Sequence, residues 1–429
     1  IEPDGGGMWR KNKRDNNQNG AFNPTADGVD LNRNYGFGWG YDNVGSSPDP
    51  TSEIFRGTTA FSEPETAALR QFCIDKGFKT ALSFHTFGDL FIYPEQPDGG
   101  LFPDHDLFRE YTHDATKANG YIYGNGLETV NYVTNGDTDA WMYGEQTDKP
   151  KIMAFTPEIG TAFDYFWAPS NRILELAQEN LYPQQYIAMA AGTFLKIENY
   201  RFDDVTGGDG DLAAEEGETV NLILNVRNKG WAANASAVTA TLSCSDNLVT
   251  INSNTAQDDF PASTSNEITF SVTLAAQVPS GHSTTINVLF TDANGYNVTE
   301  SIEITFGKPY LRFFDNAENG LALWNATGTW NVTTEESSEG QNCFTDSPND
   351  TYDASSQSAL TLATPLNLTG LNNAILSFQT RYDMEKDWDL AQLQISTNNG
   401  TTWVPLQGQY STNGAGGEGI QPLNQPVYN

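Results

Sequence analysis

The period of the apolar residues changes near Glu198, and that change limits what each part of the chain can become. Beyond it, "TVNLILNVRN", "VTATLSC", "EITFSVTLAA", "STTINVLFTD" and "ESIEITF" alternate or run through β-branched residues between Gly, Asn, Asp and Pro turns. A period of two gives a strand one face for a core and one for water, so evenly spaced runs of this kind predict a β-sandwich. We expect an Ig-like sandwich over 199–307. From "PYLRFFDNAENG" a second all-β region, jelly-roll-like, is expected over 308–429, with Trp388 and Trp403 in its core and a truncated end in "GAGGEGIQPLNQPVYN".

Residues 1–198 carry a different signature. "FSEPETAALRQFCIDKGF" predicts a helix with Ser62 as N-cap, Glu65 completing a capping box, Ala68, Leu69, Phe72 and Cys73 at helical spacing, and Gly77 as the stop. "KTALSFH" and "KIMAFTPE" read as short buried strands ending at His85 and near Glu158. A long helical stretch is expected from Ser170, with a break or restart at Pro183. Helices alternating with buried strands predict an α/β sheet layered between helices.

The charge balance narrows the partners. With 22 Lys+Arg against 55 Asp+Glu, the net charge of -33 repels nucleic-acid phosphates and anionic membrane surfaces. No apolar run is long enough to span a bilayer. Cys73, Cys244 and Cys343 are too scattered for a disulfide framework and read as buried free thiols. The opening "IEPDGGGMWRKNK" lacks the marks of an export signal, so the sequence is expected to begin inside a domain.

Few residues in this part carry chemistry. Among four histidines, His85 stands at a strand's carboxyl end, where open α/β sheets gather ligands; it is either a metal ligand or a hydrogen-bonded structural residue. Glu158, in "FTPEIG", is a general base if desolvated and a loop acid if not. Arg10 and Arg33 offer planar forks that match a carboxylate, so together beside His85 and Glu158 they would grip an anion; singly, each reads as a surface cation. Glu110 and His113 have the inverted Glu-x-x-His spacing, but "DLFREYTHDATKANG" reads as a solvated helix rather than a metal site.

Six blocks change these readings: "EPDGGGMWRKN", "GVDLNRNYGFGW", "RGTTAFSEPETAAL", "ALSFHTFGDLFIYP", "NYVTNGDTDAWMYG" and "MAFTPEIG". In order and rough spacing the chain up to about residue 198 resembles the zinc carboxypeptidases of the pancreatic carboxypeptidase A/B type, metallocarboxypeptidase family M14. The resemblance implies a partial α/β/α sandwich with a mixed sheet, and zinc-assisted hydrolysis of the last peptide bond. It implies His85 as the third Zn2+ ligand, Glu158 as general base and acid, and Arg10 as the group that stabilises the oxyanion. Asn32 and Arg33 would hold the terminal carboxylate, and Tyr132 would close over substrate. Asp139, in "NGDTDAW", falls where members preferring basic residues carry an aspartate, with Asp137 nearby, so a preference for C-terminal Lys or Arg is expected; Ala140 departs from the Asp usual before the tryptophan.

The family's His-x-x-Glu motif is missing, leaving one of three expected protein ligands for Zn2+. The sequence is therefore expected to be a carboxypeptidase fragment lacking an amino-terminal portion, inactive as it stands. The alternatives are a pseudoenzyme that binds peptides or attaches to surfaces, and a carboxypeptidase acting on cell-wall peptides. In "DDVTGGDGDLAAEEGETV", Asp209, Asp211, Glu215 and Glu216 form either a Ca2+-binding turn or a solvated acidic one, and Asp387 with Asp389 is a second candidate for calcium. The last region resembles modules appended to secreted bacterial peptidases, which implies an extracellular, bacterial setting. Peptide or protein C-termini are the expected partners, with carbohydrate or cell-surface contact through the β-regions.

Overall fold

The computed structural model describes residues 9–307, 310–348, 351–352, 354–369, 371, 374–385, 388–408, 411–414, 422 and 425–428. The first region runs α1 (Pro64–Lys76), β1 (Thr80–Leu82), β2 (Leu90–Ile92), α2 (His105–Thr116) and β3 (Ile122–Gly124). It continues with α3 (Gly126–Thr129), α4 (Thr138–Gly144), β4 (Met153–Glu158), α5 (Ile173–Glu179) and α6 (Leu181–Ala190). The strands form one mixed sheet ordered β1-β4-β2-β3, with β1 and β4 parallel, β2 and β4 antiparallel, and β2 and β3 parallel.

Side-chain alternation along β4 feeds two cores. Met153 and Phe155 share one with Phe108 and Tyr111 of α2 and Tyr186 of α6. Ala154, with Ile152 just before the strand, shares the other with Cys73 of α1 and Trp141 of α4. Helices thus cover both faces, as the alternating pattern predicted.

Several local expectations need correction. Glu63, not Ser62, is the N-cap of α1, and no side chain caps it; the Ser62 hydroxyl donates instead to Glu63 Oε1. Gly77 does end the helix, in the left-handed conformation (φ 60°) that favours glycine. β1 is not buried: among the described residues it pairs only with β4, and its three residues are half-covered. On α1, Cys73 is buried while Phe72 is exposed and meets the exposed Phe78 edge-on. The helical break after Ser170 falls at Asn180 rather than Pro183, which sits inside the first turn of α6, where its missing N–H costs little.

The second region comprises β5 (Leu195–Asp203), β6 (Thr219–Asn228), β7 (Ala235–Cys244), β8 (Val249–Ser253), β9 (Thr255–Phe260), β10 (Ser265–Leu274), β11 (Ser283–Thr291) and β12 (Asn297–Thr305). Two antiparallel sheets, β5-β6-β10-β8 and β12-β11-β7-β9, enclose one core. Val220, Leu222, Leu224 and Val226 of β6 are buried at alternate positions, together with Val238, Ala240 and Leu242 of β7. Each fully buried aliphatic side chain contributes about 1.5–3 kcal/mol.

This sandwich docks on α2. Glu110 accepts from Arg227 Nε (2.7 Å), Arg227 Nη2 (2.5 Å) and Lys229 Nζ (2.7 Å), and Tyr111 Oη donates to the Lys229 carbonyl (2.5 Å). Trp231 donates from its indole to the Lys79 carbonyl (2.9 Å) and packs against the first region's core. Helix α2 is therefore not solvated: Phe108, Tyr111, Thr112, Asp114 and Ala115 are buried, because cations from the sandwich neutralise its acids. Glu110 thus ties the first region to the sandwich through Arg227 and Lys229.

In the turn before β6, Asp204 accepts from the backbone of Gly210, Asp211 and Leu212. Carboxylate oxygens of Asp204, Asp209 and Glu218 gather within 4.8 Å, as do those of Asp209, Asp211 and Glu215; Glu216 is in neither group. Asp387 lies outside the described residues. Beyond residue 310 the described strands are short two-stranded ladders, such as Trp324–Thr327 with Ala359–Leu362. Trp388 and Trp403 are not core residues, being 48% and 43% exposed, because no second sheet among the described residues covers them. No helix among the described residues is long and apolar enough to cross a membrane.

Candidate active site

The fully buried Asn34 fixes the loop that carries Asn32 and Arg33. Its amide donates to the carbonyls of Arg56 (2.9 Å) and Thr59 (3.0 Å) and to Ser62 Oγ (3.0 Å). Its Oδ1 accepts from Glu63 N (3.2 Å) and Thr66 Oγ1 (2.7 Å), tying the loop to the start of α1. Asp30 caps the short turn Leu31–Arg33 through Asn32 N (3.1 Å) and holds Arg10 through its Nε (2.8 Å).

On the other side, β1 and β4 bring two more groups together. Beyond β1, His85 forms an isolated parallel bridge with Glu158, its N–H donating to the Pro157 carbonyl at 2.9 Å. His85 Nδ1 stands 3.9 Å from Glu158 Oε1. α4 brings in Asp139, and the loop after α3 brings in Tyr132, which is exposed at the rim. All seven candidates, Arg10, Asn32, Arg33, His85, Tyr132, Asp139 and Glu158, line one cleft of about 90 Å³.

Three buried polar atoms in this cleft have no hydrogen-bond partner among the described residues: Arg33 Nε, Asp139 Oδ1 and Glu158 Oε2. Unmade hydrogen bonds on buried groups cost about 1–3 kcal/mol each, so their clustering marks a ligand site rather than a packing core. Arg33 is buried, its Nη1 donates only to the Asn32 carbonyl (2.7 Å), and among the described residues it forms no ion pair. Asn32 Oδ1 accepts from Thr138 N (3.0 Å) and Oγ1 (2.8 Å), which leaves its amide donors uncommitted among the described residues. The cleft therefore presents amide and guanidinium donors to an anion at one end.

Burial pushes Glu158 up to about 7, with Arg10 pulling the other way, which suits a group that takes and returns a proton near neutral pH. Burial and then the charges of Arg10 and Arg33 hold His85 below its usual value, which favours the uncharged imidazole, the form that ligates metals. Asp139 is pushed up to about 8 by burial and by Asp137, against the hydrogen bond from Thr156 Oγ1 to its Oδ2.

Comparison with known proteins shows what this region is similar to. Residues 4–183 match the family described as "Zinc carboxypeptidase". Over these residues the chain is similar to zinc carboxypeptidases. Similar proteins include zinc carboxypeptidase A 1 of Anopheles gambiae (30% identical over 41% of this chain and 40% of that one) and human carboxypeptidase A5 (34%, over 40% and 38%). Carboxypeptidase B of Rattus norvegicus is 30% identical over 42% of this chain and 43% of its own. The chain thus spans about two fifths of the length of these relatives. Among solved structures, bovine thrombin-activatable fibrinolysis inhibitor in complex with tick carboxypeptidase inhibitor is 28% identical, over 42% of this chain and 61% of that one, with a TM-score of 0.36.

The family name implies zinc, and the donors can be tested against it. Among the described residues, the two places where three ligand atoms gather lie in the 204–218 turn, not around His85. One neutral imidazole falls short of the three protein ligands of a catalytic zinc site, so the described residues do not hold zinc by themselves. Sequence reasoning also missed residues that build this cleft: Asp30 and Thr138 as supports for Arg10 and Asn32, and Glu95 as part of the wall. Asp30 stood two residues from Asn32 in the quoted block, whereas nothing in the local sequence pointed to Glu95.

Proposed function

We propose that the protein is a metallocarboxypeptidase that removes the last residue of peptides, with a preference for C-terminal Lys or Arg. The observation that carries this reading is the buried Arg33, with an unpartnered Nε, in the same small cleft as Glu158, with its unpartnered Oε2. Arg33 and Asn32 bind the terminal carboxylate. Glu158 takes a proton from the attacking water and passes it to the departing amine as the C–N bond breaks and the hydroxyl joins the carbonyl carbon. Arg10, held by Asp30, meets the charge that develops on the carbonyl oxygen. Tyr132 closes over the substrate from the rim, and Asp139 at the other end receives a cationic side chain, which a buried carboxylate demands.

His85 supplies one metal ligand in this proposal, and the others come from polypeptide outside the described residues. Support comes from the open edge of β1 and from the exposed apolar residues near it, Phe72, Phe78 and Phe84. Within the same reading the chain divides into 1–198, an Ig-like unit over 199–307 and a jelly-roll-like unit over 308–429, and it works outside the cell. The incomplete ligand set favours one rival, a domain that grips peptide ends without cutting them.

The test uses the full natural reading frame: metal analysis for zinc, and hydrolysis of peptides ending in Arg or Phe. We expect bound zinc, faster release of Arg, and an Arg33→Gln variant with kcat/KM lower by about 10²–10³. Zinc-free protein that binds Arg-ended peptides without releasing the residue establishes the rival. Undiminished cleavage by Arg33→Gln overturns the carboxylate assignment, and faster release of Phe overturns the specificity.

A further inference from the structure

Glu95, shortly after β2, is buried and lines the same cleft as Asp139. Its Oε2 accepts from Gly126 N at 2.5 Å, while Oε1 accepts nothing among the described residues. A Cβ on residue 126 would lie 2.5 Å from that oxygen, so the glycine is what gives the carboxylate room. Asp137, which raises both acids electrostatically, has both its own oxygens committed, to Ala140 N and Thr134 Oγ1, each at 2.8 Å. Glu95 and Asp139 therefore each keep one uncommitted oxygen, and among the described residues neither has a cation. Burial pushes both up to about 8, which marks two carboxylates short of a partner.

We infer that Glu95 is a second specificity-determining residue, which with Asp139 clamps an arginine guanidinium from two sides. The inference rests on the carboxypeptidase reading above. A guanidinium has five donors spread over two edges of a plane, so one arginine can satisfy carboxylates from two elements at once. A lysine ammonium is a compact point charge that fully engages one of them. The cleft therefore selects Arg over Lys, and both over apolar residues. The competing role for Glu95 is structural, since its bond to Gly126 also anchors the start of α3.

Product binding separates these roles without needing turnover. Calorimetry with L-arginine, L-lysine, L-phenylalanine and L-arginine amide is performed on the full-length protein and on the Glu95→Gln, Glu95→Asp and Asp139→Asn variants. Glutamine keeps the acceptor for Gly126 and removes only the charge. We expect Glu95→Gln to weaken arginine by about tenfold or more, lysine by a few-fold and phenylalanine not at all, so that the Arg:Lys ratio collapses. Glu95→Asp, which retains charge at shorter reach, falls between, and it carries the test should Glu95→Gln fail to fold. An unchanged Arg:Lys ratio in Glu95→Gln, or equal weakening of all three ligands, overturns the inference while leaving the carboxypeptidase reading intact. Binding of arginine amide as tight as arginine, with no effect of Asp139→Asn, sinks that reading and the inference together.

Discussion

Glu110→Gln tests whether the sandwich is an integral part of the domain it touches. The glutamate takes three hydrogen bonds from two cations of the sandwich, and Glu110, Arg227 and Lys229 side chains are only 22%, 20% and 13% exposed. Removing one partner from a buried ion pair costs about 3–5 kcal/mol, because the other charge stays desolvated. Here part of that cost is relieved: Lys229 keeps Asp114 at 3.0 Å and Glu198 at 3.5 Å, and Arg227 keeps Glu198 at 3.9 Å. The expected loss is therefore about 2–3 kcal/mol, or about 5–10 °C in the melting temperature of a unit this size. Scanning calorimetry with urea titration reads the shift, and Arg227→Gln alone and combined with Glu110→Gln closes a double-mutant cycle. A shift under about 1 °C with no coupling between the two sites would falsify the idea that this network fastens the regions together.

Other outcomes follow from the same physics. Asp114 is held down to about 2 because Lys229 and Lys117 overcome the opposing effect of its burial. A depressed carboxylate stabilises the fold above its unfolded pKa of about 3.9, and its contribution of about 2 kcal/mol disappears as pH falls from about 4 to 2. Asp114→Asn should flatten stability over that window in acid titrations, and an unaltered acid limb counts against the pairing. Asn34→Ala strips the amide's donor contacts to three oxygens and its two buried acceptor bonds from the loop under Arg33 and should cost about 3–5 kcal/mol in urea unfolding, more than Asn32→Ala; a loss below about 1 kcal/mol contradicts the hub role.

The two periods of apolar residues and the end of β4 are legible in the order of residues alone, as is the likeness of the first region to zinc carboxypeptidases, whereas β1 stops at Leu82, short of the expected His85. A strand declares itself through its own side chains, and a motif through the order of its chemical groups. His85, Glu158, Arg33 and Asn32 stand out this way and do meet in one cleft. Exposure is not legible: β1 looks like a buried strand because its residues are apolar, yet burial is decided by what lies on its far side. Trp388 and Trp403 fail as core residues for the same reason.

The sequence by itself determined periodicity, charge and motif order, all properties of neighbours along the chain. Tertiary structure alone decided which charges meet. Glu110 looked solvated because its partner Arg227 is 117 residues away, and Glu95 looked ordinary because the fold alone brings Gly126 to it and sets it in the same cleft as Asp139. Coulomb attraction and desolvation act through space, so a chain announces its ions without announcing their partners.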